Sequence, residues 1–351
     1  MTHRDLASLK ILSVLVIVVT ALALAPLSVA AQTAPEGWTV PRTASGHPDL
    51  QGVWDFRSLT PMERPAELGE KDVLSEEEAA GFAAQRAAAN AALDEETPYD
   101  TVGNYNQFWM DYGSRTVETN RTSLIVDPPN GRIPVLTPEA ERRRAAGSEA
   151  GRGQRRHTPT PGGFVEDLGP GGLQVRCILG FNSGPPMTPG AYNNNVQLIQ
   201  NDGHVVLLNE MVHNARIVPM DGRPHVDLPQ WVGDSRGHWD GDTLVIETTN
   251  FQRETSFQSG LTTTDFRLTE RLTRVAPDVL MYEATIEDPS VWTEPWTYAI
   301  PMVKSEFPVY EYACHEGNYG LYNILAGAKT NPEANVMTPE EAKDESERRA
   351  R

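Results

Sequence analysis

Beyond Asn193 the chain alternates short apolar runs with Asp-Gly turns, a pattern that predicts antiparallel strands joined by hairpins. Val196 to Gln200 precedes Asn201-Asp202-Gly203, and the apolar run from His204 to Met220 ends at Asp221-Gly222. That run is too long for one regular strand, so it must break or bulge somewhere, and a bulge near Met211 to Asn214 is one way to do so. Asp240-Gly241 opens the next turn, and Leu244, Ile246 and Thr248 alternate after it. Phe266, Leu268 and Leu272 then share one face, with Arg267, Thr269, Arg271 and Thr273 opposite. Leu280, Tyr282, Ala284 and Ile286 form the matching face beyond Pro277-Asp278, where Glu283 is placed to pair with Arg271. Val291 to Ile300 adds a strand interrupted by Pro295. Earlier, Leu50 to Phe56 reads as a first strand with Trp54 and Phe56 on one face, and Thr122 to Asp127 as a short one stopped by Pro128-Pro129-Asn130-Gly131. Leu173 to Leu179 also reads as a strand.

Helices are few. Ser75 to Glu78 is a capping box that opens an alanine-rich helix running to about Asp94. Thr137-Pro138 starts another, with Arg142, Arg143 and Arg144 on a solvated face. A Gly- and Pro-rich loop or lid follows from Gly147 to Gly172. The fold class is therefore mainly β: a curved antiparallel sheet or β-barrel with peripheral helices, or alternatively a β-sandwich. No glycine-rich nucleotide loop and no strand–helix alternation supports a doubly wound fold. The expected organisation is a signal peptide over residues 1–31, one mainly β domain with helical insertions over 32–330, and a polar C-terminal helix or tail over 331–351.

The signal assignment rests on Arg4 and Lys10, the apolar run from Ile11 to Leu27, and the small residues Ser28-Val29-Ala30-Ala31, with cleavage after Ala31. An uncleaved anchor is the alternative, since about 17 apolar residues reach the lower limit for a span. The small-residue site favours removal, leaving no stable membrane span and a periplasmic or secreted protein. The net charge of -18 argues against nucleic-acid binding. Two cysteines, Cys177 and Cys314, in an exported chain point to a disulfide. A nucleophile at Cys314-His315-Glu316 is the weaker alternative. No motif calls for a cofactor.

Candidate chemistry sits in the most apolar run. Asn209, Glu210, His213, Asn214 and Arg216 are hydrogen-bonding side chains in a segment expected to face a core, where each needs a partner. Read as an enzyme, His213 is the general base, since imidazole titrates near neutral pH, and Glu210 orients it or acts as the acid. Asn214 and Arg216 then steady a developing oxyanion. His315 and Glu316 form a second acid-base pair, brought near by the disulfide. Arg236 and His238 contribute from the connection before Asp240, and Tyr105 and Trp109 supply an aromatic wall. The residue types fit a lyase, isomerase or hydrolase acting on a small organic, possibly aromatic, substrate. No nucleophile elbow supports serine hydrolysis. Convergence of His204, His213, His238 and His315 on a metal is an alternative, and no metal ligand is assigned. In a second reading the protein is a carrier for a small hydrophobic ligand, with Asn214 and Arg216 fixing its polar end. In a third, the polar cluster is a structural network that pairs His213 with Glu210 and Arg216 with a carboxylate.

Three blocks carry a resemblance: Ile125-Val-Asp-Pro-Pro-Asn-Gly-Arg-Ile-Pro134, Gly233-Asp-Ser-Arg-Gly-His-Trp-Asp-Gly-Asp-Thr-Leu-Val245 with its continuation to Phe251, and Tyr312-Ala-Cys-His-Glu-Gly-Asn-Tyr319. On these the chain resembles a large family of exported bacterial proteins. The resemblance implies export and a common fold, and transfers no reaction, cofactor or catalytic residue.

Overall fold

The computed structural model describes residues 35–96, 110–150, 172–252 and 262–319, together with Tyr322, Asn323 and Ala326. The signal segment, the aromatic pair Tyr105 and Trp109 and the C-terminal tail lie outside the described residues.

Ten antiparallel strands build one sheet: β1 (Gly52–Asp55), β2 (Ile125–Asp127), β3 (Asn195–Gln200), β4 (His204–Asn209), β5 (Ala215–Pro219), β6 (Asp234–Asp240), β7 (Thr243–Thr249), β8 (Arg267–Ala276), β9 (Val279–Glu287) and β10 (Trp296–Lys304). Their order is β5-β4-β3-β1-β10-β9-β8-β7-β6, with β2 beside β10. The edge strands β5 and β6 come side by side, so the sheet curls into a nearly closed barrel. Their approach depends on Gly237. A Cβ there would lie 2.9 Å from Val218 Cγ1 and 2.4 Å from Met220 Sδ.

The alternation read from the sequence matches the inner face. Trp54, Phe56, Phe266, Leu268, Leu272, Leu280, Tyr282, Ala284, Ile286, Trp296 and Tyr298 all belong to one buried core. Arg271 does sit opposite Glu283 in the β8–β9 register, but its guanidinium reaches Asp240 at 2.9 Å. One expectation is corrected. Leu173 to Leu179 is a short helix (Gly172–Val175) followed by a turn in which Cys177 adopts φ 57°. The long run from His204 to Met220 breaks, as its length requires: rather than bulging, it reverses through a tight 3-10 turn at Met211–His213 and returns as β5, paired to β4.

Helix α1 (Glu76–Glu96) begins with a reciprocal cap: Ser75 N donates to Glu78 Oε2 at 2.9 Å, and Glu78 N donates to Ser75 Oγ at 3.3 Å. Helix α2 (Pro138–Ala150) is capped by Thr137, whose Oγ1 accepts from Ala140 N. The hydrogen bond from Lys71, aided by Ser75, holds the Glu78 carboxyl down at about 2. A depressed carboxyl stabilises the folded helix end fully above its ordinary value of 4.5, and that contribution disappears as pH falls towards 2. An NMR titration should place the Glu78 midpoint near 2, and Lys71→Met should move it up. A midpoint unmoved by that substitution would rule out the Lys71 contact as its cause.

Candidate functional site

At one end of the barrel an open cleft of about 1010 Å³ lies between Arg57 just past β1, the approach to β3 and Glu210 after β4 on one side and the segment 305–318 on the other. Glu210 is the deepest ionisable group in it, only 4% exposed. Its place follows from the β3–β4 hairpin. The register that pairs Val196 with Asn209 sets Asn195 against Glu210. Asn195 Nδ2 donates to Glu210 Oε2 at 2.6 Å, and Glu210 N donates to Asn195 O at 3.0 Å. The other carboxylate oxygen, Oε1, has only a long 3.4 Å approach from Tyr310 N. Among the described residues no cation lies within ion-pair reach of Glu210.

The turn after Glu210 is strained. Val212 has φ 50° and ψ 26°, and His213 has φ 43°. A β-branched residue there is a genuine outlier. The turn is held by burial of Met211 and Val212, and Gly180 leaves room for it, since a Cβ on Gly180 would fall 2.0 Å from Met211 Cγ.

The cleft's outer wall is the segment after β10, and several contacts fasten it. Tyr310 N reaches Glu210, His213 Nδ1 lies 3.1 Å from Tyr312 O, and Cys314 is disulfide-bonded to Cys177. With a carbonyl as partner, neutral His213 carries its proton on Nδ1. Its ring is tied to the wall rather than to the Glu210 side chain. Arg57 stands at the far side, with Nε on Asp55 Oδ2 at 2.7 Å and a terminal nitrogen on Asp111. The Asp55 hydrogen bond is the strongest influence on the Arg57 pKa, which is raised against the opposing effect of burial. Tyr192, Phe307, Tyr310 and Tyr312 supply aromatic surface.

The residues expected to act together are thus divided. Glu210 and Glu316 line the cleft; His213 and His315 are exposed beside it. Asn214 faces a separate cavity of about 390 Å³ with Pro229, Gln230 and Trp231, and donates towards Gly184 O at 3.4 Å. Arg216, assigned above to substrate, is instead closed inside the barrel. It donates to both oxygens of Glu270, at 2.8 Å to Oε1. Tyr282 Oη donates to the same oxygen at 2.8 Å and accepts from Met187 N at 3.1 Å, while Tyr298 Oη donates to Met187 O at 2.6 Å. Burial opposes the Arg216 charge, but Glu270 outweighs it and the pKa is raised; burial drives both tyrosine hydroxyls well above their usual range. This is the Arg216 half of the structural network weighed above, with Glu270 as the carboxylate; the other half, His213 with Glu210, is not formed.

Arg236 serves the β5–β6 connection, bonding Arg223 O, Pro224 O, Ser235 O and Asp234 Oδ1. His238 is exposed on β6. Among the described residues no three His, Cys, Asp or Glu side chains gather as a metal site, so His204, His213, His238 and His315 do not converge there. No described helix is long and apolar enough to cross a membrane.

Fold and site together define a mainly β, barrel-like protein with a disulfide-fastened cleft over one end. Compared with family models, curated proteins and solved structures, the chain matches none.

Proposed function

We propose that this is a periplasmic or secreted enzyme using acid-base chemistry on a small organic substrate held in the cleft, in the manner of a lyase, isomerase or hydrolase. One observation carries the reading: among the described residues the buried carboxylate of Glu210 is bonded by neutral donors, and it opens onto a cavity large enough for a ligand. Asn195 fixes Oε2, leaving Oε1 as the oxygen that takes or returns a proton. The strained turn beside it favours a functional site, since such conformations cluster where geometry is imposed for use. Glu316 at the lip, with His315 next to it, is the second acid-base candidate.

Glu210→Gln keeps shape and the Asn195 contact but cannot accept a proton. With a compound panel screened for turnover, this variant should lose on the order of 10²–10⁴ in kcat. Wild-type turnover that survives in Glu210→Gln would remove the catalytic role. A carrier of a small ligand is the second reading, favoured by the lack of a second acid-base side chain bonded to Glu210 among the described residues. It predicts stoichiometric binding and intact recovery of the ligand.

A further inference from the structure

We infer that the molecule taken into the cleft is a small organic cation, an amine in its ammonium form with an apolar or aromatic body. This rests on the cleft being the ligand site proposed above. Three observations on that cavity converge. Four carboxylates line it, Asp111, Glu210, Glu311 and Glu316, against the single guanidinium of Arg57. That guanidinium is matched by Asp55 and Asp111 and offers no spare charge to an anion. Glu210 is buried without a cation, and a carboxylate withdrawn from water gains most from one, because the local dielectric strengthens their attraction.

The walls fit the rest of such a ligand. Phe307 and Tyr310 are 66% and 60% exposed, and they border the same cavity as the carboxylates. Exposed rings beside carboxylates receive an alkylated or aryl ammonium by its apolar body and its charge together, the ring face adding a cation–π attraction. An anion would meet Glu210, Glu311 and Glu316 with no free cation among the lining residues; a neutral compound would leave Glu210 without a counter-charge. The chain's net charge of -18 draws cations towards this surface and repels anions.

Three probes of one shape separate the possibilities: benzylammonium, benzyl alcohol and benzoate, titrated calorimetrically into the wild-type disulfide-bonded protein at low salt. Benzylammonium should bind at least about tenfold more tightly than benzyl alcohol, with benzoate weakest, and its affinity should fall with added salt. Glu210→Gln should remove about tenfold of the ammonium affinity and leave benzyl alcohol unchanged. The wild-type order of the three probes stands as a test even if the variant does not fold. Equal binding of benzyl alcohol, competing in the cleft, would overturn the cation proposal and leave the cleft as the ligand site. Binding of all three that is unaffected by substitutions at Glu210 and Tyr310 would overturn both.

Discussion

Glu270→Ala is expected to destabilise the protein by about 3–5 kcal/mol, which is the usual cost of leaving one member of a buried ion pair uncompensated. Glu270 is 0% exposed and Arg216 4%, so neither charge can turn to water. Arg216 cannot relieve the strain by losing its proton, because its guanidinium stays charged. Arg216→Met should cost less, since a lone Glu270 can take up a proton and keep its Tyr282 hydrogen bond. The double replacement Arg216→Met with Glu270→Leu should recover most of the loss, because both charges are then replaced by apolar volume. Urea unfolding of the two single variants and the double variant measures the coupling directly. A loss under about 1 kcal/mol for Glu270→Ala would show that the pair is not the internal tie described here. The same cycle tests the assignment of Arg216: a ligand-binding arginine would lower affinity and leave stability nearly unchanged.

That reassignment shows where sequence reading reaches its limit. The strands from Val196 onward were legible because one face is buried and the turn residues are explicit, and the two helix caps because their donors and acceptors lie three residues apart. Nothing local tells that Arg216 meets Glu270. The two lie 54 residues apart, on β5 and β8, and meet only because the sheet curls. Barrel closure itself leaves little periodic trace; Gly237 is its one local sign, readable only once Val218 and Met220 are known to face it. Leu173 to Leu179 failed for a related reason, since a short apolar run does not distinguish a strand from a packed turn.

The cleft was half legible. Glu210 stood out as a charge in an apolar run, but its partner Asn195 emerged only with the hairpin register that sets the two opposite each other. The wall was harder to place. Tyr310 and Tyr312 lie about a hundred residues from the groups they touch, and only the cysteine pair tied those two stretches together in advance. The functional grouping around His213 dispersed because the run breaks by reversing at Met211–His213, turning Asn214 into one cavity and Glu210 into another.

Reduction of Cys177–Cys314 should therefore damage the cleft more than the barrel. The bond spans 137 residues of sequence, for which loop-closure entropy sets a ceiling of about 5 kcal/mol. That ceiling applies when both ends unfold with the core. Here Cys314 belongs to a wall whose residues are all half-buried or exposed, and none of them joins the core around Trp54, Tyr282 and Trp296. Once the bond is cut, the contacts that hold the wall include the 3.4 Å approach of Tyr310 N to Glu210, the 3.1 Å contact of His213 with Tyr312 O and, at its root, the 2.8 Å hydrogen bond from Ser305 N to Val53 O. Each is worth about 1 kcal/mol net, less than the entropy released by freeing some ten residues. The wall should detach while the barrel stays folded, so global stability should fall by about 2–3 kcal/mol, below the full chain-entropy value. Binding of benzylammonium should drop by at least about tenfold, because the rings of Phe307 and Tyr310 leave with the wall. Urea unfolding and calorimetric titration, each with and without reductant, give both numbers. Full loss of about 5 kcal/mol would place the wall in the same cooperative unit as the barrel. Unchanged binding after reduction would mean that the wall does not contribute to the ligand site.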